Sequence, residues 1–342
     1  MAVPERRPRL DAATGSIRHQ VRLLLQQQHP TAVLVALSGG ADSVALTAAV
    51  AHVAPKLGVR WHAVTVDHQL QPGSAEVAER ARRTAAHLGA STAAVLPVEV
   101  ASGGSLEEQA RVARYAALER QRQRVGADLV LVAHTLDDQA ETVLLGLARG
   151  SGTRSLAGMR RVSGTVARPL LGVRRELTRA SCHAQGLPVW DDPQNLDPAF
   201  LRVRLRQHVL PMLERELGGG VAAALARTAA QAADDDDLLS QLAGEALERV
   251  RADDGALDVA ALQALPAALA TRVIKDAVGA RCGRGLSARH VHEVYRLVCD
   301  WCGQGPIDVP GGQVRRDRGR LVIATKVGNT THAEEHTEHG TV

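Results

Sequence analysis

The deciding stretch is Ala32-Val33-Leu34-Val35-Ala36-Leu37-Ser38-Gly39-Gly40-Ala41-Asp42-Ser43. Its first half is a short, unbroken apolar run. Such a run is too short for a buried helix and lacks the alternation of a half-exposed strand, so it reads as a strand covered on both faces in a parallel sheet. In its second half, two glycines let the backbone turn tightly and approach a ligand. A helix expected over 42–54 then opens with unpaired amides and the positive end of its dipole, which attract an anion. Ser38 and Ser43 add hydroxyl donors. The loop has neither the lysine nor the length of Gly-x-x-x-x-Gly-Lys-Ser/Thr, and it is not Gly-x-Gly-x-x-Gly. Both γ-phosphoryl transfer and dinucleotide binding are therefore disfavoured. Asp42 in such a loop would repel phosphate unless a Mg2+ ion bridges the two, since magnesium takes one or two carboxylates together with phosphate oxygens. The plain alternative is a glycine turn followed by an acid that favours a helix start.

Outward from this stretch the alternation repeats. Apolar runs over 61–67, 93–98 and 129–134 read as further buried strands. Helical periodicity fills 74–88 and 105–125, with Ser105 and Glu108 spaced as a capping box. Such alternation builds an α/β domain with a doubly wound, mostly parallel sheet. Near residue 215 the character changes. Gly218-Gly219-Gly220 interrupts a helical pattern, and from Val221 to about Val298 the chain is Ala/Leu-rich with helical spacing and no strand signal. Pro310-Gly311-Gly312, inside alternating residues 307–324, predicts a small hairpin. The expected organisation is an arginine-rich arm and amphipathic helix (1–30), an α/β catalytic domain (31–215), a smaller, mainly helical domain (216–326) and a polar tail (327–342). The tail has no periodicity and is expected to be disordered.

Composition sets the outer bounds. The chain has 342 residues, 45% hydrophobic and 23% charged, as expected of a two-domain globular protein. No run approaches the roughly 20 apolar residues that cross a bilayer, and the first ten residues lack the apolar core of a secretory signal. Four scattered cysteines make no disulfide framework. These features lead us to expect a cytoplasmic protein with no membrane partner. The net charge of +4 leans toward a polyanionic partner. Lys56, Lys275 and Lys326 are the only lysines, which a GC-rich genome explains as well as phosphate recognition does. The four aspartates at 234–237 fan around a helix axis and read as a solvated face. Cys299 and Cys302, with Cys282 and His290 or His292, have the makings of a zinc set. Their place beside an apolar helical stretch favours packing as small hydrophobes. His332, His336 and His339 lie in the tail, where a plain polar segment is the simpler account.

Three polar clusters begin at expected strand carboxyl ends, where ligands bind in open α/β sheets. They are Ser38 to Ser43, Asp67-His68, and His134 to Glu141 with Asp137 and Asp138 between. Asp137 and Glu141 are four apart, hence on one helix face. An acid-rich first helical turn would account for Asp137 and Asp138 singly, and His134 read alone is a satisfied strand-end histidine. Arg111 and Arg114 sit three apart on one helix. Arg168 follows a later strand. Arg202, Arg204 and Arg206 alternate, as they would along one side of an extended loop, with a basic helix face as the even alternative.

Ser-Gly-Gly-x-Asp-Ser resembles the signature of the PP-loop ATP pyrophosphatases. Further residues narrow the resemblance: Val66-Asp67-His68-Gln69-Leu70, Glu108-Gln109-Ala110-Arg111, Arg114-Tyr115, His134 to Thr142, Arg149-Gly150-Ser151-Gly152, Leu156-Ala157-Gly158-Met159, Arg168-Pro169-Leu170-Leu171 and Asp191-Asp192-Pro193-Gln194-Asn195. In this order, from about Val33 to Leu213, they resemble the bacterial tRNA(Ile)-lysidine synthetases. The helical remainder resembles that family's second domain less specifically. The family pattern has glycine at 69, serine or threonine at 194 and asparagine at 203, where this sequence has Gln69, Gln194 and Val203. The further C-terminal domain that some longer members carry is not expected here.

The resemblance implies a ligase. ATP would adenylate the wobble cytidine of the CAU anticodon of tRNA(Ile), and L-lysine would displace AMP to give lysidine. It places ATP on Ser38, Gly39, Gly40, Ala41, Asp42, Ser43, Asp67 and His68, with Mg2+ between Asp42 and the phosphates. It places catalysis and lysine or metal capture on Asp42, His134, Asp137, Asp138 and Glu141. The tRNA contacts fall on Arg111, Arg114, Arg168, Arg202, Arg204 and Arg206. Two alternatives stay open, a PP-loop tRNA thiolase and a nucleotide- or RNA-binding module without catalysis. A homodimer also stays open.

Overall fold

A computed structural model describes residues 11–69, 73–98, 106–150 and 152–325. The arm before residue 11, the capping box begun by Ser105 and the tail with its three histidines lie outside the described residues. The chain divides into two compact units, Met1–Ala233 and Asp234–Val342.

The first unit runs α1 (Ala12–Gln28), β1 (Ala32–Ala36), α2 (Ala41–Val53), β2 (Arg60–Asp67), α3 (Ser74–His87), β3 (Ala93–Pro97), α4 (Leu106–Val125), β4 (Leu129–Leu131), α5 (Leu136–Ala148), α6 (Gly152–Leu156), β5 (Val162–Ser163), β6 (Val166–Ala167) and α7 (Arg175–Ala184). Next come α8 (Leu201–Arg204), a π-helical turn (Leu205–Val209), α9 (Leu210–Glu216) and the start of α10 (Val221–Val250). The sheet order is β3-β2-β1-β4-β6-β5. β1 pairs in parallel with both β2 and β4, so every one of its residues must find cover above and below. Val33 and Val35 enter the core under α1 and α2 with Ile17, Val21, Leu24 and Val50. Ala32 and Leu34 enter the opposite core with Leu118 of α4, Val64 and Val130. This two-sided burial is why the run carries no polar residue. The chain leaves β1 toward β2 and β3, then returns to β4 on the other side. The carboxyl ends of β1 and β4 therefore frame the crevice of the sheet.

The second unit holds the rest of α10, then β7 (Leu257–Asp258), α11 (Val259–Gln263), α12 (Ala267–Cys282), α13 (Ala288–Cys299), β8 (Ile307–Val309), β9 (Gly312–Asp317) and β10 (Arg320–Thr325). Helices pack on a four-stranded antiparallel sheet, β7-β10-β9-β8, over a core of Leu247, Leu257, Ile274, Val294, Leu297, Val314 and Leu321. Three features depart from the expectation. A strand lies where none was expected, because two residues have no periodicity of their own and β7 exists only through its pairing with β10. The expected hairpin about Pro310-Gly311 is extended by β10 through the two-residue turn Arg318-Gly319, at φ 45° and 79°. Both central residues of a type I′ turn need positive φ, and the arginine in the first position conceals it. The division between the units falls inside α10 and not at 215, because Ala222 and Leu225 pack on Ala140 and Leu210 of the first unit.

Two side-chain expectations change as well. Asp236 is buried and accepts from Arg272 Nη1 at 2.6 Å, while Asp234, Asp235 and Asp237 are exposed. Cys299 and Cys302 are exposed and do not pack in the core. Among the described residues no cluster of three or more candidate ligands forms around any cysteine, and no helix is long and apolar enough to cross a membrane.

Candidate active site

The phosphate-type loop follows β1 as a tight turn. Gly39 sits at φ 88°, the left-handed region that glycine adopts without strain. Gly40 is the N-cap of α2 and offers no side chain, so the first amides of the helix stay open. The loop is braced from inside. Ser43 Oγ accepts from the Ser38 amide and from Ser38 Oγ, each at 3.1 Å, and donates to the Gly40 carbonyl at 2.9 Å. The two hydroxyls expected as ligand donors thus hold each other. From outside, the Trp190 amide donates to the Gly39 carbonyl at 2.9 Å.

Asp42 lies in the first turn of α2. Thr178 Oγ1 donates to its Oδ1, and Arg175 Nε lies 3.4 Å from its Oδ2. Burial raises the Asp42 pKa above the usual carboxylate value, with Thr178 and Arg175 opposing and Asp138 reinforcing the rise.

Beyond β2, Asp67 is buried and accepts the Gln69 amide at 3.0 Å. His68 Nδ1 is buried with no hydrogen-bond partner among the described residues. Burial, then Arg114, hold this imidazole below its usual pKa.

Beyond β4 the acids divide their work. Thr135 caps α5 in a capping box with Asp138, whose Oδ2 accepts from Thr135 N at 2.7 Å and Oγ1 at 2.8 Å. Asp138 Oδ1 takes Arg175 Nη2 at 2.5 Å. Burial works to raise the Asp138 pKa, yet Arg175 and the Thr135 amide carry it below the usual value. Asp137 reaches across to α7, accepting the Arg175 amide at 2.8 Å. Glu141 is fully buried and meets Arg206 Nε at 2.8 Å and Arg175 Nη1 at 3.5 Å. Among the described residues His134 Nδ1 is buried without a hydrogen-bond partner, and burial lowers its pKa to about 4, so the ring is neutral at physiological pH.

One cleft of about 1070 Å³ gathers Ser38, Gly40 to Ser43, Asp67, His68, Arg114, His134, Asp137, Asp138, Trp190 and Arg206 along its walls. Glu141, Arg111, Arg168, Arg202 and Arg204 stand outside its lining. Arg111 and Arg114 flank the Tyr115 ring at 5.1 and 5.9 Å. Arg168 is buried and donates to the Arg160 carbonyl at 3.0 Å. The 202–206 segment is helical and not an extended loop. Arg202 and Arg206 share a helix face toward Glu141, with Arg202 Nη1 at 3.9 Å. Arg204 turns instead to the carbonyls of Pro198 and Ala199.

Residues 14–213 match the PP-loop domain family, and residues 257–322 match the TilS substrate binding domain. The tRNA(Ile)-lysidine synthase of Leifsonia xyli subsp. xyli is 52% identical over 303 residues, covering 86% of this chain and 91% of that one. The chain belongs to the tRNA(Ile)-lysidine synthase family. The tRNA(Ile)-lysidine synthase of Streptomyces coelicolor is likewise 52% identical, over 86% of each chain. A U34-tRNA thiolase from Methanococcus maripaludis superposes with a TM-score of 0.54 at 16% identity, covering 65% of this chain and 80% of that one, which shows the shared fold alone. Membership makes this PP-loop chain an ATP-using ligase.

Against the family pattern two departures gain a physical account. Gln69 holds φ 55°, the region that favours the glycine expected there. Val203 is buried, so its side chain replaces a polar group inside the protein and does not face the cleft.

Arg175 is the residue that sequence reasoning missed. It is the first residue of α7 and contacts Asp42, Asp138 and Glu141 at once. A signal was present: a cation at a helix N-terminus opposes the dipole, and a local conflict of that kind points to a tertiary reason.

A magnesium ion suits this family member on donor chemistry. Asp42 supplies a hard carboxylate at the wall of the cleft. With no group of three candidate ligands among the described residues, the fit is to an ion that takes most of its shell from phosphate oxygens and water.

Proposed function

We propose that the chain joins L-lysine to the wobble cytidine of the CAU anticodon of tRNA(Ile), in the cytoplasm, using ATP. The observation that supports this reading is one cleft lined both by the first turn of α2 and by Asp138, in a chain half identical to named synthases. The loop is too short to wrap a β-phosphate, which suits attack at the innermost phosphorus.

The chemistry runs in two steps. The carbonyl oxygen of the cytosine attacks the α-phosphorus, the bond to the β-phosphate bridging oxygen breaks, and pyrophosphate leaves. The neutral ε-amine of lysine then attacks the ring carbon that bore that oxygen. The carbon–oxygen bond breaks, AMP leaves, and the amine loses a proton. Open amides at Gly40 and Ala41 face the negative charge that builds on the phosphate. Magnesium, when bound at Asp42, supplies charge neutralisation of the phosphates. Neutral His134 provides a hydrogen-bonding group without charge beside the reacting base, with Arg111, Arg114 and Arg168 behind it. Asp138 holds the lysine ammonium, Glu141 standing behind it, and the protons released as the amine reacts pass to solvent. Arg202, Arg204 and Arg206 meet the tRNA backbone.

Mass analysis of unmodified tRNA(Ile) after incubation with ATP, Mg2+ and lysine tests this. Lysidine, AMP and pyrophosphate are the expected products, and Asp42→Asn should stop adenylation while tRNA still binds. Release of ADP in place of AMP would rule the reading out.

A further inference from the structure

The acids of the cleft pose an electrostatic problem that the two-step reading does not address. ATP is a polyanion, and it has to settle beside Asp42, Asp137 and Asp138, with Glu141 buried behind them. One guanidinium meets three of these acids, each through a different nitrogen. Arg175 Nε lies 3.4 Å from Asp42, Nη2 2.5 Å from Asp138 and Nη1 3.5 Å from Glu141. Its backbone amide takes the fourth, Asp137, at 2.8 Å. The side chain is only 19% exposed, so its charge acts in a medium far less screening than water. One turn along α7, Thr178 holds the other oxygen of Asp42. α7 therefore fixes both oxygens of the carboxylate nearest the phosphate loop.

We infer that Arg175 is a positioning residue that clamps the acids of both half-reactions into one unit and offsets their charge, so that one cleft accepts a triphosphate and an ammonium together. This deepens the proposed function and rests on it for the lysine half. It carries a sign that a purely structural role does not. Removing the cation makes the cleft more negative, which weakens ATP and favours the lysine ammonium. The two substrates must then respond in opposite directions.

The test uses the full chain and three measurements: calorimetric titration with MgATP alone, KM for L-lysine in lysidine formation, and thermal melting. Arg175→Gln should weaken MgATP binding by about tenfold or more, as loss of a close, partly buried charge does, while KM for lysine falls. Arg175→Lys should keep MgATP affinity within about threefold. Its kcat should drop, because a single ammonium cannot span three carboxylates. Unchanged MgATP affinity in Arg175→Gln would overturn the inference. So would a parallel rise in both constants for both variants together with a lowered melting temperature, the mark of a scaffold residue. A wild-type protein that makes no lysidine would sink the proposed function, and the MgATP titration would still decide the charge role of Arg175.

Discussion

Single residues carry more than one duty here, and His134 shows the thermodynamic trace. Burial lowers its pKa from 6.5 to about 4. The folded state therefore resists a proton that the unfolded chain accepts. The contribution is fully present above pH 6.5 and is lost as pH falls toward 4. Wild-type protein should lose about 1–3 kcal/mol more stability than His134→Gln between pH 7.5 and pH 4.5, read by denaturant unfolding at both values. Equal losses would mean that His134 titrates normally. Asp137 makes a different point. It lies beside Asp138 in the sequence, yet its oxygen caps another helix, and that pairing was not legible because α7 lies far downstream. Arg175 was hidden for the same reason. The acids that explain it belong to α2 and α5.

Among the elements, the glycine loop separates two demands that the sequence presents as one. Gly39 is fixed by φ 88°, and among the described residues an added Cβ there meets nothing closer than 3.7 Å. Gly40 has an ordinary φ of −72°. Gly39→Ala should therefore destabilise the protein by about 1–2 kcal/mol, the strain of a left-handed alanine. Gly40→Ala should cost less in melting, since only an N-cap preference is lost, and should weaken MgATP binding because it crowds the residue that opens α2 to the cleft. Melting curves and ATP titrations of the pair check this, and an equal melting loss in both would refute the division. Strands were legible because two-sided burial leaves a continuous apolar run. The 202–206 segment was not. Pro211 lacks the amide that would continue an α-helix from 207, and the chain passes through a π-helical turn just before it. Alternating arginines are equally compatible with a strand, so only the backbone decides that Arg202 and Arg206 look one way and Arg204 another.

For the whole molecule, a net charge of +4 is modest for a chain that grips a nucleic acid. Recognition must then rest on local groups and not on a global field. Arg204 is exposed and sits away from the acid cluster. Arg204→Ala should lower the slope of log affinity for tRNA against log salt by about 0.7–0.9 without changing MgATP binding, as measured by filter binding across salt. An unaltered slope would remove Arg204 from the interface. The helices of the second unit and its hairpin about Pro310-Gly311 are legible in the sequence, and the rest of its sheet is not. A two-residue strand and a turn led by Arg318 give no pattern until the partners are in place. The hydrogen bond from Trp190 to Gly39 has a consequence for biosynthesis. A ribosome must extrude more than half of the polypeptide before the glycine turn acquires its last strut. Nascent fragments ending earlier can form the bonds among Ser38, Gly40 and Ser43 but lack this outer brace, so the turn is complete only after Trp190 has joined the first unit.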